Sequence, residues 1–281
     1  MTGNARGPAR LYVAFDDTDT IDADRGTGKV GRWFEDELPP GCVLWGVVRQ
    51  QLLVHPDVPY TSHNSSAVCV VDVHEALTVV GEETGRPAPA ADLIDEIVVR
   101  AEAHLARAWM DGSDPGLCVA WGDAPALDAL RAFGARATRE VVTQADAYGA
   151  ARGMRLSGHG GTEDGVIGAA AGAGLTAGGW HGRFIEYRSA LGHLRDLPDP
   201  VTVALLDECG ITVVTVDRDA PAPPPEALVH TAGWLRPRLW AGRPVLPVQR
   251  SGRDAWVAVG PRTLPGPGHG GSPDVDTPGP A

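Results

Sequence analysis

Lysine is almost missing from this chain of 281 residues: of its 24 basic residues, only Lys29 is a lysine. Cysteine is scarce too. The four cysteines, Cys42, Cys69, Cys118 and Cys209, include no pair at the spacing of metal ligands. We therefore expect buried free thiols in a reducing compartment and no zinc site.

Membrane-spanning and export signals are also lacking. No apolar run approaches the roughly 18–20 residues that cross a bilayer, and the first ten residues lack the apolar core of a signal peptide. We expect a cytoplasmic protein with no membrane partner. The net charge of −12 argues against a main affinity for nucleic-acid phosphate. The absence of Gly-x-Ser-x-Gly, His-Glu-x-x-His and Cys-x-x-Cys patterns disfavours common hydrolase and zinc chemistry.

Three carboxylates follow directly on a predicted buried strand. Residues 11–15 are apolar and favour β structure, and Asp16, Asp17 and Asp19 come next. Carboxylates this close repel one another unless a cation or hydrogen-bond donors neutralise them. Mg²⁺ would do so if one or two of them and substrate phosphates bound it. The alternative is a polar cap after a strand, because Asp and Thr both serve as N-caps.

A glycine loop, Gly26–Lys29, precedes a helix predicted over 29–38. The N–H groups of such a loop can bind phosphate at a helix start, and the compact charge of lysine suits the same ligand. A P-loop is excluded, because Ala23 and Val30 stand where that motif needs Gly and Ser or Thr. A plain flexible turn is the alternative.

Two further loops have the composition of ligand contacts. Residues 59–67 bring hydroxyls, an amide and the imidazole of His63 to the start of a predicted strand. Gly158–Gly161 is a second candidate for anion binding. The alternatives are an ordinary Ser/Asn turn, an exposed histidine, and glycines that permit close packing.

Predicted helices and strands alternate along the chain, which favours an α/β class, with α+β possible: a mixed sheet packed with helices, followed by a small β-rich unit and a disordered tail. We expect a nucleotide-binding domain over 9–190, a small C-terminal module over 191–260 and the tail over 261–281. Helices are predicted over 92–110, 124–133 and 138–150, among others. Strands over 245–248 and 255–259 are predicted to flank a turn.

Taken in order, these motifs resemble one family, the archaeal isoleucine-tRNA agmatinylcytidine synthetases. The segments that carry the resemblance are Phe15–Asp19, Gly26-Thr27, Pro59–Val68, Asp114–Gly116, Gly158–Gly160, Ile167–Ala170 and Tyr187-Arg188. They cover the kinase-like domain of that family, about Leu11 to Arg188. The family's later OB-fold and zinc ribbon, which bind tRNA, have no counterpart.

The resemblance implies a domain that binds ATP and Mg²⁺ through the Asp cluster. In the family this domain phosphorylates the wobble cytidine, carries a threonine that becomes phosphorylated, and joins agmatine to the base. We predict that Asp16, Asp17 and Asp19 hold Mg²⁺ and that the catalytic group consists of these three residues with Thr27, Lys29 and His63. We predict that the nucleotide is bound by Gly26, Gly28, Asn64, Ser65, Gly158, His159, Gly160 and Gly161.

Departures from the family pattern leave three hypotheses open. The family's Thr-Arg-Gly-Asn is replaced by Ser62–Ser65, which removes an arginine. The first hypothesis is an ATP- and Mg²⁺-dependent phosphotransferase or ligase acting on a small molecule or nucleotide. The second is a non-catalytic nucleotide- or metabolite-binding regulator. The third is a tRNA-modifying enzyme that needs a separate tRNA-binding partner.

Overall fold

The computed structural model describes residues 8–20, 23, 25–58, 64–81, 85–122, 125–217, 219–251 and 255–260. The helices are α1 (Thr27–Trp33), α2 (Ala91–Ala108), α3 (Pro125–Ala137), α4 (Gln144–Ala150), α5 (Gly165–Gly178) and α6 (Val203–Glu208). The strands are β1 (Ala9–Asp16), β2 (Cys42–Gln51), β3 (Ser65–Val73), β4 (Thr78–Val80), β5 (Pro87–Pro89), β6 (Gly116–Trp121), β7 (Arg155–Gly158), β8 (Arg183–Ser189), β9 (Gly192–His193), β10 (Val201–Thr202), β11 (Thr212–Thr215), β12 (Leu228–His230), β13 (Arg238–Trp240), β14 (Arg243–Ser251) and β15 (Ala255–Ala258). In the described part of the chain, no helix has the length and apolar character that crossing a bilayer requires.

The chain forms two compact units: Met1–Leu194 with Leu239–Arg243, and Arg195–Arg238 with Pro244–Ala281. In the first unit, one sheet has the strand order β7-β6-β1-β3-β2-β8. Every pairing along this order is antiparallel. The strand that precedes the three carboxylates, β1, therefore lies in the interior of the sheet between β3 and β6.

Helices cover both faces of this sheet because its central strands are apolar on both sides. On one face, Leu11, Val13 and Phe15 of β1 share a buried cluster with the apolar stripe of α2 and with Val30 of α1. On the other face, Ala14 shares a second cluster with residues of α3, α4 and α5. The result is a three-layer arrangement of helices, sheet and helices.

The predicted fold class is confirmed: helices pack on a large sheet, and strands recur in the C-terminal part. The second unit contains both pairing directions, with β14 antiparallel to β15, and β12 parallel to β15. The strands predicted over 245–248 and 255–259 pair there as expected. The predicted disordered tail, 261–281, lies outside the described residues.

The helix predicted over 138–150 is wrong in its first half, because α3 extends to Ala137 and α4 begins only at Gln144. Thr143 interrupts the helix with an extended backbone conformation, φ −111° and ψ 163°. Its hydroxyl accepts the N–H of Asp146, and the Asp146 carboxylate accepts the N–H of Thr143. This reciprocal capping box marks a helix start, which the hydrophobic pattern alone did not reveal.

Replacing Thr143 by Ala is expected to lower the midpoint of thermal unfolding by about 2–4 °C, since α4 loses its N-cap. The measurement is calorimetric melting at neutral pH. Thr138→Ala is the control, because Thr138 donates only to the carbonyl of Ala135 at the end of α3. Equal midpoints for the two variants would contradict a capping role for Thr143.

Candidate functional site

The carboxyl end of β1 lies beside the starts of β3 and β6, at the end of the sheet where these strands terminate. Antiparallel pairing produces this arrangement, since Phe15 lies opposite both Ala67 and Leu117. A pocket of about 470 Å³ opens there. A volume of this size is sufficient for a nucleotide-sized ligand.

The lining of the pocket combines acidic and apolar side chains. The carboxylates that line it belong to Asp16, Asp17, Asp19, Asp57, Asp114, Glu140 and Asp164. Its apolar lining residues are Leu52, Leu53, Val58, Ala137, Val141, Val142 and Ile167. Lysine, arginine and histidine are absent from the lining, as far as the described ranges extend. The lining therefore combines an excess of acidic groups with apolar surface.

Asp16 is the most deeply placed of these carboxylates, with only 9% of its surface exposed. The helix α5 passes so close that a Cβ atom added to Gly168 would overlap the Asp16 carboxylate. Burial raises the pKa of Asp16 well above its usual value, and repulsion from Asp17 and Asp19 adds to the effect. The ionised form of this side chain is therefore costly unless a cation approaches it.

Asp17 has a left-handed backbone conformation, φ 49°, which Asp tolerates better than most residues. Burial raises its pKa to about 6, and the charges of Asp114 and Asp19 contribute. A backbone hydrogen bond from Asp114 acts in the opposite direction. Asp16 and Asp17 are thus neighbouring groups that both resist ionisation, as is common at functional sites.

Asp19 has a different environment, because its carboxylate is engaged at the start of α1. Its Oδ1 accepts hydrogen bonds from the N–H and the hydroxyl of Thr27, at 3.3 and 3.0 Å. The buried Thr18 hydroxyl in turn donates to Thr27 Oγ1 at 3.1 Å. Gly26 occupies the N-cap position without a side-chain cap, and Asp19 supplies one from outside the helix.

Within the described ranges, no three acidic, histidine or cysteine side chains are arranged to hold one metal ion. The ligand chemistry nevertheless fits a hard cation, because Asp16 and Asp17 are desolvated oxygen donors facing one pocket. Mg²⁺ commonly takes only one or two protein carboxylates and completes its coordination with phosphate and water. Metal ligation by Asp16, Asp17 and Asp19 stays a prediction.

The structure brings some of the predicted residues together and separates others. Asn64 and Ser65 line the pocket with the Asp cluster and Thr27. Gly26, Gly28 and Lys29 are not among the lining residues. Gly28 instead lies against Ile185 of β8, where an added Cβ would approach the Ile185 side chain to 3.0 Å. Lys29 is exposed, and His63 falls outside the described residues.

The Gly158–Gly161 loop also lies outside the lining, although it borders residues that belong to it. The N–H of His159 donates to the carbonyl of Pro115, and its Nε2 is 2.8 Å from Ser157 Oγ. Gly161 has a positive φ of 53° beside the Asp114 side chain. These glycines serve close packing here, and Asp114 rather than the loop faces the pocket.

Sequence reasoning did not identify Asp114 and Asp164 as members of the site. Asp114 accepts hydrogen bonds from the N–H and hydroxyl of Thr162, at 3.0 and 2.7 Å. Gln144 joins the same network by donating to the Thr162 carbonyl and to Asp164. The sequence did contain a signal for Asp114, the Asp-Pro-Gly turn ahead of β6. Placing that turn beside the Asp cluster, however, requires knowing that β6 pairs with β1.

No family model matches the chain, and no curated protein matches it. Among solved structures, the complex of TiaS with an isoleucine tRNA and ATP is 18% identical with a TM-score of 0.45. Apo TiaS, an isoleucine-tRNA agmatidine synthetase, is 20% identical with a TM-score of 0.42. Both matches cover 59% of this chain; they cover 36% and 35% of the other chain, respectively, so the chain spans about a third of their length. The predicted resemblance is thereby confirmed as a likeness to solved structures of that family.

Proposed function

We propose that the pocket binds ATP together with Mg²⁺ and that the protein is an ATP-dependent phosphotransferase or ligase acting on a small molecule or nucleotide. The observation that carries this proposal is the pair Asp16 and Asp17, two desolvated carboxylates that face one pocket. Such a pair is costly to maintain without a cation, and phosphoryl transfer requires one beside the phosphates.

In this proposal Asp16 and Asp17 hold Mg²⁺, which when bound neutralises charge on the phosphate oxygens. Asp19 fixes the Thr27 hydroxyl at the pocket through the start of α1. The apolar lining residues, among them Leu52 and Val142, accommodate the base and exclude water from it. The acidic remainder of the pocket, with Asp114 and Asp164, faces the acceptor.

ATP binding is tested by titrating a non-hydrolysable ATP analogue in a calorimeter with and without Mg²⁺. We expect Mg²⁺ to strengthen binding at least tenfold in the native protein, since it removes repulsion between phosphate and the carboxylates. Asp16→Asn should lose most of this Mg²⁺ dependence. The native protein binding equally well with and without Mg²⁺ would contradict the proposal.

A regulator that binds ATP without turning it over is the second candidate, and the replaced segment Ser62–Ser65 favours it. Phosphate release separates the two candidates: an enzyme releases phosphate or pyrophosphate with some acceptor, and a regulator does so with none. The third candidate, a tRNA-modifying enzyme, predicts salt-sensitive tRNA binding only in the presence of a tRNA-binding partner, because the chain itself carries a net charge of −12.

A further inference from the structure

Three buried polar side chains form a row across the sheet of the first unit, on the face that α5 covers. This polar row consists of Asp16 of β1, Ser66 of β3 and Gln50 of β2, with exposed fractions of 9%, 1% and 1%. Ser66 lies directly opposite Gln50 in the antiparallel register. Phe15 lies opposite Ala67, so the next residues of these two strands, Asp16 and Ser66, are cross-strand neighbours as well.

The helix α5 covers the polar row with three residues at intervals of four: Gly168, Gly172 and Thr176. Residues at this interval lie on one face of a helix, in successive turns. The first of them overlies the Asp16 carboxylate. An added Cβ on Gly172 would come within 2.1 Å of Ser66 Oγ. The carboxylate and the hydroxyl therefore lie under adjacent turns of α5.

Ser66 is the member of the polar row whose hydrogen-bonding capacity is unused. Gln50 Nε2 donates to Thr176 Oγ1 and to the carbonyl of His181, at 2.9 and 3.1 Å. Ser66 Oγ, in contrast, is buried and has no hydrogen-bond partner in the described part of the chain. A buried hydroxyl without a partner destabilises the fold, and native proteins contain few such groups.

The Asp16 carboxylate is the neighbour to which this hydroxyl can donate. It accepts a backbone hydrogen bond from Asp17, and no side chain within the described ranges donates to it. The Cβ atoms of opposite residues lie about 4.5–5.5 Å apart on an antiparallel pair. A carboxylate and a hydroxyl bridge that span with one hydrogen bond of about 2.7 Å once the serine side chain turns about χ1.

We propose that Ser66 is a positioning residue of the pocket, whose hydroxyl turns to the Asp16 carboxylate and donates to it when a cation binds there. The proposal rests on the proposed function in one respect, that Asp16 binds Mg²⁺. Carboxylates that ligate a metal are themselves hydrogen-bonded, which fixes their orientation. Ser66 holds the carboxylate oxygen beneath α5, so that the other oxygen faces the pocket.

Ser66→Ala should have opposite effects on stability and on cation binding. Without Mg²⁺, its midpoint of thermal unfolding should rise by about 2–4 °C, because the variant lacks an unpaired buried hydroxyl. Calorimetric titration with Mg²⁺, at a fixed concentration of non-hydrolysable ATP analogue, should show an affinity about tenfold or more below that of the native protein. A residue that served packing alone would lower the midpoint as well.

Thr176→Val is the matched control, because it removes a buried hydroxyl that does have its partner, Gln50. Its midpoint should fall, and its Mg²⁺ affinity should remain native. Ser66→Cys, which retains a weak donor, should recover part of the affinity that Ser66→Ala loses. Adding Ser66→Ala to Asp16→Asn should weaken Mg²⁺ binding no further, because Ser66 acts through the carboxylate.

The proposal is overturned if the Mg²⁺ affinity and the midpoint of Ser66→Ala fall together. It is equally overturned if Ser66→Ala weakens Mg²⁺ binding as much in the Asp16→Asn protein as in the native one. If the native protein binds Mg²⁺ and Ser66→Ala binds it equally well, the role of Ser66 fails and the proposed function stands. If the native protein itself does not bind Mg²⁺, both fail.

Discussion

Replacing Asp17 by Asn is expected to lower Mg²⁺-dependent ATP turnover by about 10²–10³-fold while making the protein more stable. Turnover falls because the amide cannot replace the carboxylate as a cation ligand. Stability rises because Asn removes a charge that burial and neighbouring carboxylates disfavour. Asn also tolerates the left-handed backbone at this position.

The gain in stability should depend on pH. The pKa of Asp17 is raised from 3.8 to about 6 in the folded protein, so the folded state holds its proton more tightly. Below about pH 4 Asp17 is protonated in both the folded and the unfolded native protein, so the variant gains no stability over it. Between about pH 4 and 6 the native protein loses stability relative to the variant, and above that range the difference is constant. Because the Asp17 side chain is partly exposed, solvent screening limits this stability difference to about 1 kcal/mol.

Denaturant unfolding at acidic and at neutral pH measures this effect, and phosphate release measures turnover. Asp95→Asn is the control, because Asp95 is exposed and paired with Arg155 far along the chain from the Asp cluster. The control should retain native turnover. Unchanged ATP turnover in Asp17→Asn would show that Asp17 does not take part in the proposed site.

Replacing Gly174 by Ala is expected to cost about 2 kcal/mol or more of the free energy of unfolding. Gly174 lies in α5 where α3 crosses it, and an added Cβ would overlap the carbonyl of Leu130. A backbone group cannot move aside as a flexible side chain can, so the two helices must separate. This strain exceeds the roughly 1 kcal/mol by which Ala favours a helix over Gly.

Gly178→Ala provides the matched comparison at the end of the same helix. Nothing lies within 4 Å of an added Cβ there, and the residue is exposed. We expect a gain of about 0.5 kcal/mol from the lower entropy of the unfolded chain. Chemical denaturation of both variants measures the contrast. If Gly174→Ala does not lower the free energy of unfolding relative to Gly178→Ala, the helices do not pack closely at Leu130.

Local patterns were enough to predict the strand before the carboxylates and the general class of fold. The apolar run from Leu11 to Phe15 lies within β1, and the stripe of α2 faces the core as its period predicts. These features depend on neighbours in the chain, which a sequence displays directly. The same local reasoning failed at Thr143, because a capping box competes with helix periodicity.

Strand order and register could not be predicted from the same patterns. Asp114 reaches the pocket because β6 pairs with β1, and Ser66 lies beside Asp16 because β3 pairs with β1. Both juxtapositions arise between segments distant in the chain. Periodicity indicates which face a side chain occupies and gives no information about which strand lies beside it.

The interior position of β1 has a consequence for the order of folding. Residues 11–16 pair with β6, which lies far along the chain, so one side of β1 stays open until that segment arrives. Contacts of such long range slow folding, because closing the intervening loop costs entropy first. The burial that raises the pKa values of Asp16 and Asp17 belongs to the folded structure. We therefore expect the repulsion within the Asp cluster to arise only once the long-range pairing of β1 with β6 has formed.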